Sequence, residues 1–343
     1  MSLNVLIVKT SSLGDIVQAF SVLDALGPHQ VDWIVEKRFA SLLAAHPRVR
    51  EVLVFEPGSL RGWWRSLALL RRRSYDVVFD IQGNCKSGVL TLAARAKDKV
   101  GFGRRSVREW PNLLATNIRF EVSREGNIRL QLMSLVQRYF NQNALLTSAQ
   151  VCFNVDEAER ELLRALLSAP ELRAPQRIMV CPGSKWINKQ LPTSAWVEFL
   201  QQVRGALDAA FLLMWGDLAE RAVCEEIARA LPGRSVVVDR LAIPVWQNLM
   251  THMDLILAVD SSALHLAATT AVPTFSLFGP TRAEVFKPMG DRHFAFQGAC
   301  PYEQKFVKQC PKLRSCPTGG CIRALSGKVV FEAFWEWWRA LKR

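Results

Sequence analysis

The chain has 343 residues, 50% hydrophobic and 22% charged, with a formal net charge of +13. That length exceeds one ordinary hydrophobic core, so two domains are expected, and the composition excludes a disordered or low-complexity chain. The positive excess favours anionic partners (nucleic acid, anionic lipid or a phosphorylated substrate) without choosing among them.

The N-terminal run Val5-Leu6-Ile7-Val8 is too short for a secretory signal, and Lys9 interrupts it. No stretch reaches the roughly 18 apolar residues of a spanning helix. A soluble or peripheral cytoplasmic protein is therefore expected. In chain order, apolar periodicity predicts a strand at 4–8, a helix at 15–26, a strand at 31–35, a short helix at 39–45 and a strand at 52–55. A basic, Trp-rich segment at 61–73 precedes a strand at 77–80. Helical periodicity surrounds 156–167, and Pro170 and Pro175 mark 168–176 as a linker. The pattern then restarts. Strands are expected at 177–180, 211–214, 235–238, 255–259 and 274–277, and helices at 195–206, 218–230 and 263–270. Two alternating series predict two Rossmann-like domains with parallel sheets facing a cleft.

Three segments carry candidate chemistry. Thr10-Ser11-Ser12-Leu13-Gly14-Asp15 runs from a strand into a helix. Asp15 there either complements the helix dipole or takes a proton from a substrate hydroxyl. Gly183-Ser184-Lys185, with Lys189 beyond, suits a phosphate or is a solvated basic loop; it lacks the Walker pattern. Asp260-Ser261-Ser262 again leads a strand into a helix, which carries His265, and Gly279-Pro280-Thr281 follows the next strand. Both echoing segments lie where open α/β sheets bind ligands. His265, between Leu264 and Leu266, reads by itself as a core histidine rather than a catalyst.

Cys85, Cys152, Cys181 and Cys224 are scattered and read as plain thiols. Cys300, Cys310, Cys316 and Cys321 fall in one Pro/Gly/Lys-rich loop. Without an export signal, that cluster suggests a closed structural zinc or iron site before disulfides. The tail places Phe331, Phe334, Trp335, Trp338 and Leu341 on one stripe beside Arg339, Lys342 and Arg343. It is expected to pack back on the N-terminal domain; the rival reading is a helix lying on anionic lipid.

Taken together, the segments resemble the lipopolysaccharide heptosyltransferases, glycosyltransferase family 9. Val8-Lys9-Thr10-Ser11-Ser12-Leu13-Gly14-Asp15 is similar to the family's N-terminal motif, and Asp32-Trp33-Ile34-Val35-Glu36 to its second strand. Asp80-Ile81-Gln82-Gly83 with Lys86-Ser87 resembles its D-x-Q-G…K-S segment. Lys189 and Pro192 fall on its K-x-W-P. Val259-Asp260-Ser261-Ser262, Leu264-His265 and Gly279-Pro280-Thr281 resemble V-D-T-G, S-H and G-P-T. Leu191 and Ser262 depart from the family's Trp and Gly, on the side that would recognise the donor.

The resemblance implies an α/β fold of the GT-B type, with two Rossmann-like domains facing a central cleft. Residues 1–168 would bind the acceptor and 177–325 the donor, with a Cys-rich loop at 300–321 and a C-terminal helix at 326–343. It implies inverting transfer of heptose from ADP-L-glycero-D-manno-heptose to the lipopolysaccharide inner core, either Kdo-lipid A or a heptosylated core. Asp15 would be the general base. Lys189, the helix start at Ser261-Ser262 and Thr281 would stabilise the leaving ADP without a divalent cation. Ser184, Lys185, Glu220, Asp260, His265, Gly279 and Pro280 would complete the donor site. Ser11, Ser12, Gly14, Arg61, Arg65, Gln82, Arg108 and Arg129 would bind the phosphorylated, lipid-linked sugar acceptor at the inner-membrane surface. Nucleic acid is not expected, for want of a recognition motif. Some family members, including those that glycosylate autotransporters, carry an iron-binding cysteine motif. A protein acceptor is thus one alternative, and a non-catalytic, metal-bearing basic adaptor another.

Overall fold

The computed structural model describes residues 2–142 and 150–342. The chain divides into two units, Met1–Asn154 and Val155–Arg343. The boundary is earlier than the expected linker at 168–176. Phe153 holds the chain to the first unit, its ring packing edge-on against Phe20. The helix Glu157–Leu167 belongs to the second unit, where it packs on the helix Ile243–Met250.

In the first unit, β1 (Asn4–Val8), β2 (Gln30–Glu36), β3 (Glu51–Phe55), β4 (Ser74–Asp80), β5 (Arg95–Phe102) and β6 (Ile118–Phe120) form one parallel sheet. Its order is β3-β2-β1-β4-β5-β6. Val5 to Val8 are each fully buried, as expected of a strand covered on both faces. The single helix expected at 15–26 is two, Leu13–Gln18 and Ser21–Ala25. Phe20 falls at the break and turns its ring onto the edge of Trp33. The basic Trp-rich segment is the helix Leu60–Arg71, capped by Ser59 accepting from the Gly62 N–H at 3.0 Å. Gly62 is required there, because a Cβ would lie 2.2 Å from the Glu56 carbonyl oxygen.

The second unit repeats the design. β7 (Gln176–Cys181), β8 (Ala209–Leu213), β9 (Ser235–Val237), β10 (Leu255–Val259), β11 (Thr274–Phe278) and β12 (His293–Gln297) pair in parallel. The order is β12-β11-β10-β7-β8-β9. Each sheet therefore has the doubly wound order of a Rossmann unit, with its switch point between the first and fourth strands.

The C-terminal helix Gly327–Leu341 packs on the helix Thr193–Leu207 of its own unit. Phe334, Trp337 and Trp338 lie in one core with Phe199 and Phe275. The close packing starts at Gly327, whose N–H donates to Glu198 at 2.6 Å. Of this stripe, Phe334 and Trp338 are buried in that core, and Phe331, Trp335 and Leu341 are partly buried against it. Arg343 lies outside the described residues. Among those residues, no helix is long and apolar enough to cross a membrane.

Candidate functional site

The expected chemistry-bearing segments sit at the two switch points. In the first unit, Thr10–Asp15 follows β1, and Asp80-Ile81-Gln82 closes β4 beside it. The Thr10 N–H donates to Gln82 Oε1 at 3.2 Å, tying the two loops together. Asp80 is fully buried and accepts from the Gln82 and Gly83 N–H groups at 3.0 and 2.9 Å and from Asn112 at 2.6 Å. Burial raises its pKa despite those bonds. Asp15 stands in the first turn of Leu13–Gln18, where Oδ2 accepts from the Ser12 N–H at 3.1 Å and from Ser12 Oγ at 2.8 Å. It is thus a helix-capping carboxylate, whatever else it does.

Lys9 lies beneath this turn, 8% exposed. Desolvation lowers its pKa, against the pull of Asp15, and the Arg108 charge lowers it further. Lys9 carried no assigned role in the sequence, although it stands inside the motif. Its burial, visible only in the fold, makes it part of the Asp15 environment. Arg108 belongs to the same field. Arg61 and Arg65 are exposed, one turn apart, on the separate helix Leu60–Arg71. Arg129 is 9% exposed, and burial brings its pKa down to about 10. It is a buried cation, a setting the sequence does not show. Glu36, at the end of β2, pairs with Lys86 and Arg38, each at 2.8 Å, beside a cavity of about 430 Å³.

In the second unit the segments after β7, β10 and β11 converge. Lys189 Nζ lies 2.6 Å from Asp260 Oδ2, and Thr281 Oγ1 donates to the same oxygen at 2.5 Å. His265 Nε2 is 3.8 Å from Oδ1. Burial works against the Asp260 carboxylate, but Lys189, His265 and the hydrogen bonds outweigh it and hold its pKa below the usual range. Ser184 Oγ donates to the Asp260 carbonyl at 3.3 Å. Ser261 Oγ is buried with no hydrogen-bond partner among the described residues. Ser262 opens the short helix Ser262–Ala267. Glu220 reaches the same loop. A Cβ on Gly183 would lie 2.1 Å from its Cδ, and its carboxylate accepts from the Gly216 N–H at 2.6 Å. Burial raises the Glu220 pKa. Lys185 is exposed, above the Trp186 ring. Leu191, at the position of the motif's Trp, is a core residue packed with Trp196 and Phe199.

Gly279 and Pro280 border a cavity of about 600 Å³ that Cys300, Cys310, Cys316 and Cys321 also line. Burial, with the neighbouring thiols, pushes Cys321 up to about 11, while the Gly319 and Thr318 N–H groups lower Cys316. Among the described residues, no three His, Cys, Asp or Glu side chains are placed to hold a metal ion. As they stand, the four thiols share a cavity without forming a coordination site.

Two Rossmann sheets, each with its motifs at the switch point, define an α/β protein of the GT-B type. The family model for glycosyltransferase family 9 (heptosyltransferase) matches residues 63–315. The chain is 30% identical to lipopolysaccharide heptosyltransferase 1 of Pseudomonas aeruginosa, over 81% of this chain and 79% of that one. Its fold is similar to E. coli heptosyltransferase WaaC with ADP-2-deoxy-2-fluoro heptose, at a TM-score of 0.75 and 20% identity, covering 97% and 99% of the two chains. It also matches the iron-containing dodecameric glycosyltransferase TibC of enterotoxigenic E. coli, at a TM-score of 0.56 and 14% identity, covering 99% and 77%. The chain belongs to glycosyltransferase family 9 and is a glycosyltransferase.

Proposed function

We propose that the chain transfers heptose, with inversion, from ADP-heptose to a phosphorylated, lipid-linked inner-core acceptor of lipopolysaccharide. One observation carries this reading: Lys189, Thr281 and Asp260 meet at the β7–β10 switch point, where doubly wound sheets bind nucleotides. The names of the relatives support heptose as the sugar.

In this reading Asp15 takes the proton of an acceptor hydroxyl. The hydroxyl oxygen bonds to the anomeric carbon as the bond from that carbon to the ADP oxygen breaks. ADP leaves with the bonding electron pair. Lys189 and the unpartnered Ser261 Oγ supply the positive charge and hydrogen bond that the developing phosphate charge needs, with Thr281 beside them holding Asp260. Glu220 and His265 flank the nucleotide. The Arg61–Arg65 face, beside exposed Trp64 (69%) and Leu60 (81%), meets the anionic acceptor at the cytoplasmic surface of the inner membrane. No step is assigned to a divalent cation.

A structural zinc or iron at the cysteine loop is proposed on one ground, that four thiols line one cavity. Binding would require the loop to tighten and thiol protons to be lost. Less than about a tenth of an equivalent of either metal, with reduced thiols, removes it. The same thiols are what favours a protein acceptor as the second reading.

Transfer from ADP-heptose to a truncated inner-core acceptor, compared between wild type and Asp15→Ala, tests the main reading. Near-wild-type turnover by the variant overturns the base assignment. Reaction with another nucleotide sugar, but not with ADP-heptose, overturns the donor.

A further inference from the structure

The cysteine loop is fastened to both donor loops. Asn188, next to Lys189, is 6% exposed, and its Nδ2 donates to the Leu313 and Cys316 carbonyls, each at 3.0 Å. Arg314, between those two residues, places its guanidinium 4.5 Å from the centre of the Trp186 ring. On the other side, the Cys310 N–H donates to the Pro280 carbonyl at 2.7 Å, and the Arg282 N–H to the Lys308 carbonyl at 2.9 Å. Residues 308–316 thus bridge the loop that carries Lys189 and the loop that carries Thr281. Gly319 lets the bridge close: its φ is +56°, and a Cβ there would lie 2.5 Å from Asn188 Oδ1.

We propose that residues 308–316 are a strap that sets the spacing of the two donor loops, with Asn188 as its positioning residue; this rests on the diphosphate reading above. Asn188 acts through the strap: its amide satisfies the buried Leu313 carbonyl and the part-buried Cys316 carbonyl, which no aliphatic side chain would do. A bound diphosphate, held between Lys189 and Thr281, tightens the strap, and a loosened strap lets the two groups drift apart.

The experiment uses the full chain, with ADP as the probe. In wild type, ADP slows amide hydrogen exchange over 308–316 as well as over 279–282. Asn188→Ala weakens ADP about tenfold and raises the donor KM in step. It leaves the acceptor KM within about twofold and abolishes the ADP-dependent slowing over 308–316. Asn188→Asp keeps the shape but cannot donate, and behaves as Asn188→Ala does. If both fail to fold, exposed Arg314→Ala carries the same readouts with a smaller shift. Exchange over 308–316 that ignores ADP in wild type overturns the strap alone, as does wild-type ADP affinity in a folded variant. Failure of wild type to bind ADP overturns both the strap and the diphosphate reading.

Discussion

Lys189 Nζ sits 2.6 Å from Asp260 Oδ2, with the two side chains 16% and 5% exposed. A carboxylate so buried depends on its cation. Lys189→Ala is expected to cost about 3 kcal/mol of unfolding free energy, because it strands Asp260 rather than merely deleting a bond. Lys189→Ala/Asp260→Asn recovers most of that loss. Urea unfolding of both variants checks the order, and equal losses would show that the pair is not coupled.

The same pair predicts the acid limb of stability. The folded Asp260 pKa is held below its unfolded value, mainly by Lys189 acting against burial. Its contribution is therefore complete above about pH 4 and is lost as pH falls through the lower folded value. Asp260→Asn flattens that limb in thermal melts between about pH 5 and 3.

Glu220 has the opposite sign. Burial raises its folded pKa, so its protonated form is favoured, and stability falls as pH rises through that value. Glu220→Gln should melt higher than wild type at pH 8. The difference shrinks towards pH 4, where the wild-type carboxyl is protonated. A lower melting temperature for the variant at pH 8 would contradict this.

Asp15→Asn keeps an acceptor for the Ser12 donors while removing a base. Its kcat is expected to fall by about 10² to 10⁴ with little change in melting temperature. Single-turnover transfer and thermal melts measure the two.

Two aromatic residues separate packing from surface contact. Phe334→Ala, at a fully buried position among Phe199, Phe275 and Trp338, should cost about 3–5 kcal/mol. Trp64→Ala should change stability by less than about 0.5 kcal/mol but weaken binding to anionic vesicles. Unchanged vesicle binding would remove the membrane role of the Arg61–Arg65 face.

Much of this architecture was legible in the sequence because parallel strands buried on both faces read as apolar runs, as at 5–8 and 255–259. β5 was not, since Arg95-Ala96-Lys97-Asp98-Lys99 is charged and Arg95 and Lys97 face solvent. The tail was legible only in part. Its stripe named a buried face, but a stripe does not say which core receives it, and Gly327 on the helix Thr193–Leu207 is a contact between distant residues. Lys189, Asp260 and Thr281 were legible as motifs, whereas their convergence on one carboxylate was not. The burial of Arg129 is visible only in the fold.

The two sheets share one strand order, and each closes a core of its own, with the chain passing between them near residue 154. The elements proposed to read the nucleotide sugar are therefore all encoded after that point, and those proposed to activate the acceptor all before it. In the proposed reading, residues 155–343 carry donor preference and residues 1–154 acceptor preference, so exchange of the second half between relatives is expected to carry the choice of donor with it.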